Sequence, residues 1–418
     1  LAPDDFGVTA MAAIVLGLAT VLLDVGVNVA LIRNANTTPD HYNSAWTLRM
    51  AQAATITLIL LIAAPFAGDY FHDSRVIPVI MILALNVSVG SFENIGIITF
   101  QKEMRFDLEF RYILTNRIFG FFCTLGAAFI LRNYWALVVG GTATQIFAVF
   151  NSYRSHPMRP RWSTKKLKEI LTVSQWIFVQ NIGGYLDNTL HRILVGRRDS
   201  TAMMGAYTLA DGVASMPSSE LMQPLNRVLF PAFVAVKSDL AELKRVFLLA
   251  QGLQVLIALP AAVFMSLLAH EIVPVLLGDK WTAAIPLLQT LAMGSAFMAI
   301  RASAWYVSIT LGRERSCAYV GWAQVMMFVL LCFVFYPDAR ANQIADFRVL
   351  VPLIGLVFQL LICANALGNL SISDLWRSIW RPLFAIGSTT AALHAIPTLG
   401  FALPAVLLVK CCACAIGY

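Results

Sequence analysis

Ionisable side chains interrupt long apolar stretches of this sequence. They are Arg117, Arg192, Arg227, Arg301, Glu93, Asp187, His191 and Asp211. A charge at the centre of an apolar bilayer costs about 2.5–3.5 kcal/mol even on permissive scales, so such residues face protein or water. Side chains of this type at these positions therefore predict a hydrated cavity inside a membrane protein.

One of these stretches, residues 202–233, contains three prolines. They are Pro217, Pro224 and Pro231. Proline inside a helix removes a backbone hydrogen bond and frees carbonyl groups that other parts of the protein must satisfy. Because prolines are common points of helix bending, we predict that these three act as hinges.

The composition places the chain in a membrane. Of its 418 residues, 59% are hydrophobic and only 13% are charged, whereas about a quarter of the residues of a soluble protein are charged. The cysteines Cys411, Cys412 and Cys414 cluster, but no second cysteine pair or histidine stands at ligand spacing. The sequence therefore predicts a polytopic membrane protein with no metal and no cofactor.

About thirteen apolar stretches reach the length of about 20 residues that a bilayer core requires. We predict spans at 6–31, 45–67, 76–99, 111–131, 134–153, 171–195, 202–233, 246–268, 282–311, 317–336, 348–369, 382–399 and 401–416. Their length indicates helices, and the first residues are typical of a loop, so we expect a first helix to be missing before Leu1. The loops are short, which excludes a nucleotide-binding domain on this chain.

One loop, residues 154–170, is strongly basic. Its cations are Arg154, Arg159, Arg161, Lys165, Lys166 and Lys168. Because cytoplasmic loops carry the excess of lysine and arginine, this loop is predicted to be cytoplasmic. It also predicts a division into an N-terminal transmembrane lobe (1–153), the inter-lobe loop (154–170), a C-terminal lobe (171–369) and two additional helices (370–418).

A weak internal repeat agrees with two lobes. The segment Gly7–Ala12 follows an acidic residue, as does the similar segment Gly205–Ala210. The two copies are separated by an even number of predicted spans and so have the same orientation in the membrane. Parallel repeats of this kind are typical of transporters.

Several short motifs, in order along residues 1 to about 320, resemble one known family. They are Leu1–Gly7, Asp24–Arg33, Gln101–Phe106, Gly205–Ala210, Pro217, Pro224–Pro231 and Leu277–Trp281. Together they are similar to the polysaccharide flippases of the multidrug/oligosaccharidyl-lipid/polysaccharide exporter superfamily, which includes the O-antigen and colanic-acid type transporters. The resemblance implies an all-α fold of two pseudo-symmetric six-helix lobes around a central cavity, with two C-terminal helices.

The same resemblance implies a function. A member of this family carries undecaprenyl-pyrophosphate-linked oligosaccharide units across the bacterial inner membrane for lipopolysaccharide or exopolysaccharide biosynthesis, by alternating access. It is a transporter and not an enzyme. We expect membrane lipids and polysaccharide polymerase machinery as partners, no nucleic acid, and a monomer.

Arginine suits a pyrophosphate cargo because its planar fork can pair two phosphate oxygens. Arg227 and Arg301 lie deep within spans and are the first candidates. Arg117 and Arg192 are candidates too, although each could instead extend to the membrane interface. Glu93 is predicted to line the cavity.

Asp187 and His191 stand at i and i+4, so they share one helix face. Such a pair can titrate near neutral pH and couple transport to an ion, and Asp211 is a further ion-coupling candidate. The alternative is structural: Asp187 would neutralise Arg192 or His191 and so permit its burial.

Two other functions remain open from the sequence. A cation-coupled multidrug exporter of the same superfamily would share the fold but prefer an acidic cavity. A sugar polymerase or ligase would act on the same lipid, but such an enzyme needs a large external loop, and the external loops predicted here are short.

Overall fold

The structure, a computed structural model, describes residues 2–23, 31, 37–103, 105–171, 175–368 and 370–395. The predicted span 401–416, the cysteine cluster at 411–414 and most of the motif Asp24–Arg33 lie outside these residues. The described chain forms two compact units, residues 1–205 and 206–418.

The first unit is a bundle of helices, and its last helix continues into the second unit. The helices are α1 (Pro3–Leu23), α2 (Pro39–Phe71), α3 (Val76–Ser91), α4 (Ile98–Lys102), α5 (Phe106–Leu131), α6 (Trp135–Ser155), α7 (Leu167–Leu171), α8 (Gln175–Arg198) and α9 (Thr201–Met216).

The second unit is helical as well. Its remaining helices are α10 (Met222–Ala235), α11 (Leu240–Leu267), α12 (Ala269–Leu276), α13 (Ala284–Thr310), α14 (Glu314–Leu330), α15 (Ala341–Leu367) and α16 (Ile372–Ala395). Its core packs α10, α11, α13 and α15 around Phe233 and Phe247, both fully buried.

The predicted all-α polytopic class is confirmed. In the described part of the chain no strand occurs, and seven helices are long and apolar enough to cross a membrane, or eight if one bent pair counts as a span. Large apolar side chains such as Phe129 (71% exposed) and Ile130 (81% exposed) cover the outer face of α5. Such a surface is stable against lipid and not against water. The predicted division at the loop 154–170 stays a prediction.

Helix α2 begins earlier than the predicted span 45–67. Its N-cap is Thr38, and Pro39 occupies the first helical position, where a missing N–H costs no hydrogen bond. The helix ends at Phe71, and the C-cap residue His72 has a left-handed φ of 56°. Ten residues of helix correspond to about 15 Å, so Arg49 lies well inside α2.

The predicted span 76–99 is not one helix. Helix α3 ends at Ser91, and the chain bends by 70° before continuing through residues 95–102. The cause is Asn94, whose side chain accepts a hydrogen bond from the Gly96 N–H at 2.9 Å and donates to the carbonyls of His156 and Met158 at 3.1 and 2.8 Å. Because this amide satisfies the backbone of a turn, Glu93 lies at a helix break and not in mid-helix.

The basic loop is held against α2. Three side chains of that helix accept hydrogen bonds from loop backbone N–H groups: Asn43 from Arg161 at 2.9 Å, Thr47 from Ser163 at 3.0 Å, and Ser44 from Lys166 at 3.1 Å. The loop therefore has a fixed conformation on the first unit, since its backbone groups are satisfied there.

Candidate functional site

A cavity of about 480 Å³ lies within the first unit, between α1, α2, α3 and α6. This volume is within the range of about 300–1,000 Å³ that is typical of ligand sites. Apolar side chains form one part of the wall. The polar part consists of Thr20, Arg49, Gln52, Asn86, Ser91 and Gln145.

Arg49 carries the only charge among the described residues that line this cavity. Its Nη2 donates to Glu93 Oε2 at 2.8 Å and to the Gly90 carbonyl at 3.3 Å. Both side chains of the ion pair are largely shielded, with 33% of Arg49 and 20% of Glu93 exposed. The Nε and Nη1 groups of Arg49 have no acceptor among the described residues, so the guanidinium keeps donors for a ligand.

The tyrosine Tyr112 of α5 holds Glu93 from the other side. Its hydroxyl donates to Glu93 Oε1 and lies 3.2 Å from the carbonyl of Ala148. The carboxylate therefore receives one hydrogen bond from Arg49 and one from Tyr112. This pairing compensates the desolvation of a carboxylate in an apolar bundle.

The cavity amides differ in their bonding. Asn86 on α3 donates to the Thr142 hydroxyl on α6 at 2.9 Å, which ties the two helices together. Gln145, one turn further along α6, has no hydrogen-bond partner among the described residues, and it packs so closely on Gly90 that an added Cβ there would lie 2.6 Å from Gln145 Nε2. Gln145 therefore offers both a donor and an acceptor to the cavity.

The predicted cavity residue Glu93 lies beside this cavity and reaches it through Arg49. The predicted arginines lie elsewhere. Arg117 is exposed on α5, Arg192 is half-buried on α8, and Arg301 on α13 is half-buried and donates to Gln324 Oε1. Arg227 lies in α10, but its side chain is outside the described residues. Their roles as phosphate ligands stay predictions.

The ion-coupling roles of His191, Asp187 and Asp211 also stay predictions. His191 is buried on α8 (1% exposed), and its Nε2 lies 3.0 Å from the carbonyl of Asn188. Asp187 on the same helix and Asp211 on α9 are half-buried. A buried imidazole bonded to a backbone carbonyl is compatible with either the coupling or the structural reading.

The three proline candidates occupy two kinds of backbone. Pro217 begins a single π-helical turn, Pro217–Leu221, between α9 and α10, and such turns often mark functional sites. Pro224 and Pro231 lie inside α10, whose backbone remains helical through both; their side chains are outside the described residues. The hinge role stays a prediction for all three.

Sequence reasoning missed Arg49. The predicted span began at residue 45, so Arg49 stood close to its predicted start and was not counted among the charges inside a span. The sequence Thr38-Pro39-Asp40 was the available signal, because a threonine N-cap followed by proline marks a helix start. With that start, Arg49 falls about three turns inside the helix.

Comparison with known proteins agrees with this architecture. The family described as polysaccharide biosynthesis protein matches residues 1–286. The lipopolysaccharide biosynthesis protein WzxC of Escherichia coli (strain K12) is 24% identical over 299 residues, which cover 69% of this chain and 60% of WzxC. The teichuronic acid biosynthesis protein TuaB of Bacillus subtilis (strain 168) is 19% identical over 370 residues, covering 87% of this chain and 76% of TuaB. The chain thus spans about 60% of the length of WzxC.

Two solved structures share the fold. The lipid II flippase MurJ in an inward closed conformation has a TM-score of 0.78 at 11% identity, covering 100% of this chain and 92% of MurJ. An inward-facing multidrug resistance MATE transporter has a TM-score of 0.63 at 13% identity, and the match covers 89% of this chain and 93% of that transporter. The apolar helices and these relatives identify a multi-pass protein of the bacterial inner membrane, and because the family match covers more than half of its residues, the chain belongs to the polysaccharide biosynthesis protein family.

Proposed function

We propose that this protein moves undecaprenyl-pyrophosphate-linked oligosaccharide units across the inner membrane by alternating access. The observation that carries the proposal is the polar cavity inside a membrane-spanning unit, with the Arg49 guanidinium and several amides in its wall. Polar groups are costly inside an apolar, membrane-spanning helix bundle, so their concentration at one cavity supports a path for a polar cargo. The membership of the polysaccharide biosynthesis family supports that cargo.

The charge of the cavity argues against the multidrug exporter. A cationic drug needs an acidic partner, yet none of the described residues that line the cavity is acidic. The nearby carboxylate of Glu93 is already bonded to Arg49 and Tyr112. In this proposal Arg227 and Arg301 contact the pyrophosphate, and the protein acts as a monomer beside the polymerase machinery.

The test is a flipping assay with the full chain in proteoliposomes. The cargo is a fluorescently labelled undecaprenyl-pyrophosphate oligosaccharide, and a membrane-impermeant quencher reports which leaflet holds it. We expect the protein to move label between leaflets faster than in protein-free vesicles, and Arg227→Ala or Arg301→Ala to slow that rate about tenfold, as loss of roughly 1.4 kcal/mol would do. A rate equal to that of protein-free vesicles would contradict the proposal.

The same vesicles distinguish the exporter. A fluorescent organic cation added outside should not be taken up in response to a proton or sodium gradient. Uptake of the cation together with no movement of the lipid would replace the flippase by the exporter.

A further inference from the structure

We propose that the cavity of the first unit is a binding subsite for the uncharged sugar rings of the cargo and not for its pyrophosphate. The inference rests on the proposed function and assigns one part of the cargo to one cavity. It concerns the cavity between α1, α2, α3 and α6, with Arg49, Asn86, Ser91 and Gln145 in its wall.

Charge is the first step. A pyrophosphate needs a surplus of positive charge, but Arg49 is the only ionised side chain among the described lining residues and Glu93 already neutralises it at 2.8 Å. Replacing Glu93 by a phosphate would leave that carboxylate desolvated beside the hydroxyl of Tyr112, which is unfavourable. The neutral ion pair thus disfavours anions as well as cations.

Hydrogen-bonding capacity is the second step. A sugar hydroxyl donates one hydrogen bond and accepts others, so it needs mixed partners. The cavity supplies them: the carboxamide of Gln145 both donates and accepts, Nε and Nη1 of Arg49 donate, and Oδ1 of Asn86 accepts while its Nδ2 is bonded to Thr142. The Arg49 donors and the Gln145 amide have no partner among the described residues, so a polyol would satisfy them.

Space is the third step. Gly140 and Gly141 are neighbours on α6 with opposite surroundings. A Cβ on Gly140 would lie 2.2 Å from the Thr124 hydroxyl, because that glycine packs α6 on α5. A Cβ on Gly141 would meet no atom within 4 Å, and Gly141 lines the cavity. The Cβ of a larger residue at Gly141 therefore has room, and the rest of its side chain would extend into the cavity.

The test compares two lipids that differ only in their sugars. The probes are undecaprenyl pyrophosphate and undecaprenyl pyrophosphate carrying a disaccharide of uncharged hexoses. Their dissociation constants are measured for the full chain in lipid nanodiscs. The variants are Gln145→Leu, which removes the amide, and Gly141→Leu, which fills the cavity. Gly126→Leu is the control, since a Cβ on Gly126 of α5 also meets no atom within 4 Å but does not line the cavity.

We expect Gln145→Leu and Gly141→Leu each to weaken binding of the disaccharide lipid about tenfold and to change binding of the sugar-free lipid less than about twofold. Gly126→Leu should change neither. Retained binding of the sugar-free lipid shows that a variant is folded.

Two results would overturn the subsite. One is equal weakening of both lipids, which would place the pyrophosphate in the cavity. The other is unchanged binding of the disaccharide lipid by both variants, with the flipping activity of the parent intact; this removes the sugar subsite and leaves the proposed function standing. If the parent binds neither lipid, both the subsite and the proposed function fail.

Discussion

Gln145 borders a cavity in the first unit, whereas Gln251 and Gln359 of the second unit are buried against other polar side chains. Gln251 (2% exposed) accepts a hydrogen bond from Ser303 at 2.6 Å, and Gln359 (1% exposed) donates to Ser308 at 3.1 Å. Gln145 of the first unit has no such partner among the described residues. Since unsatisfied amides in a membrane are costly, the difference separates amides that stabilise helix packing from an amide that is available to a ligand.

The largest effect is expected where the cavity wall carries charge. Glu93→Leu would leave Arg49 without its counterion and Tyr112 with the Ala148 carbonyl, 3.2 Å away, as its remaining acceptor. Because Arg49 is one-third exposed, we expect a loss of about 2 kcal/mol in the free energy of unfolding, below the 3–5 kcal/mol of fully buried pairs. Thermal unfolding in detergent measures it.

Glu93→Gln is the matched control. Its amide oxygen can still accept from Arg49, while its amide nitrogen donates to the Tyr112 hydroxyl, which can turn its own proton toward the Ala148 carbonyl. We expect this variant to restore about half of the lost stability. The double variant Arg49→Leu/Glu93→Leu should be more stable than the sum of the single changes predicts. Strict additivity would show that the two side chains do not interact, and the cavity would then carry a free cation.

The next largest effect is expected from replacing a glutamine by leucine in each unit and comparing the free energies of unfolding. Gln251→Leu removes the acceptor of the buried Ser303 hydroxyl, so we expect a loss of about 1–2 kcal/mol in the free energy of unfolding. Gln145→Leu removes no bond between described residues and should change that quantity by less than about 0.5 kcal/mol. Equal losses for the two variants, measured by thermal unfolding, would contradict the distinction between a bonded amide at Gln251 and an available amide at Gln145.

The smallest effect concerns acid stability at the surface of the second unit. Lys244 Nζ lies 2.6 Å from Asp374 Oδ2, and this hydrogen bond, together with those from Ser371, lowers the pKa of Asp374 from 3.8 to about 2. The depressed pKa stabilises the fold above about pH 4, and this contribution is lost as the pH falls toward 2.

Asp374→Asn should therefore lower the melting temperature at pH 7 and flatten its pH dependence between about pH 4 and 2. Lys244→Met should move the acid-labile window upward. An unchanged profile in both variants would show that this pair does not contribute to the stability of the second unit.

The sequence predicted the class of fold and part of the site. Apolar length gave the approximate positions of the helices, though not the start of α2 or the break after α3. Glu93 was singled out because a carboxylate in an apolar span must be paired or face water. The end of α3 at Ser91 was not predicted, because it depends on the contacts of Asn94 with the distant carbonyls of His156 and Met158.

The amides could not be ranked from the sequence for the same reason. Gln145 and Gln359 both lie in apolar helices, and the sequence alone does not distinguish them. Only the tertiary structure shows that Gln359 meets Ser308 from α13 and that Gln145 faces a cavity. Residue type predicts the need for a partner, while the partner itself is set by packing between helices far apart in the chain.

The flipping rate of the labelled lipid-linked oligosaccharide in proteoliposomes tests the central claim most directly. A polar cavity in a membrane-spanning unit of a polysaccharide biosynthesis protein predicts movement of the label between leaflets well above that in protein-free vesicles, and a slower rate when Gly141→Leu fills the cavity. Movement no faster than in protein-free vesicles would contradict the proposal that this protein is a flippase.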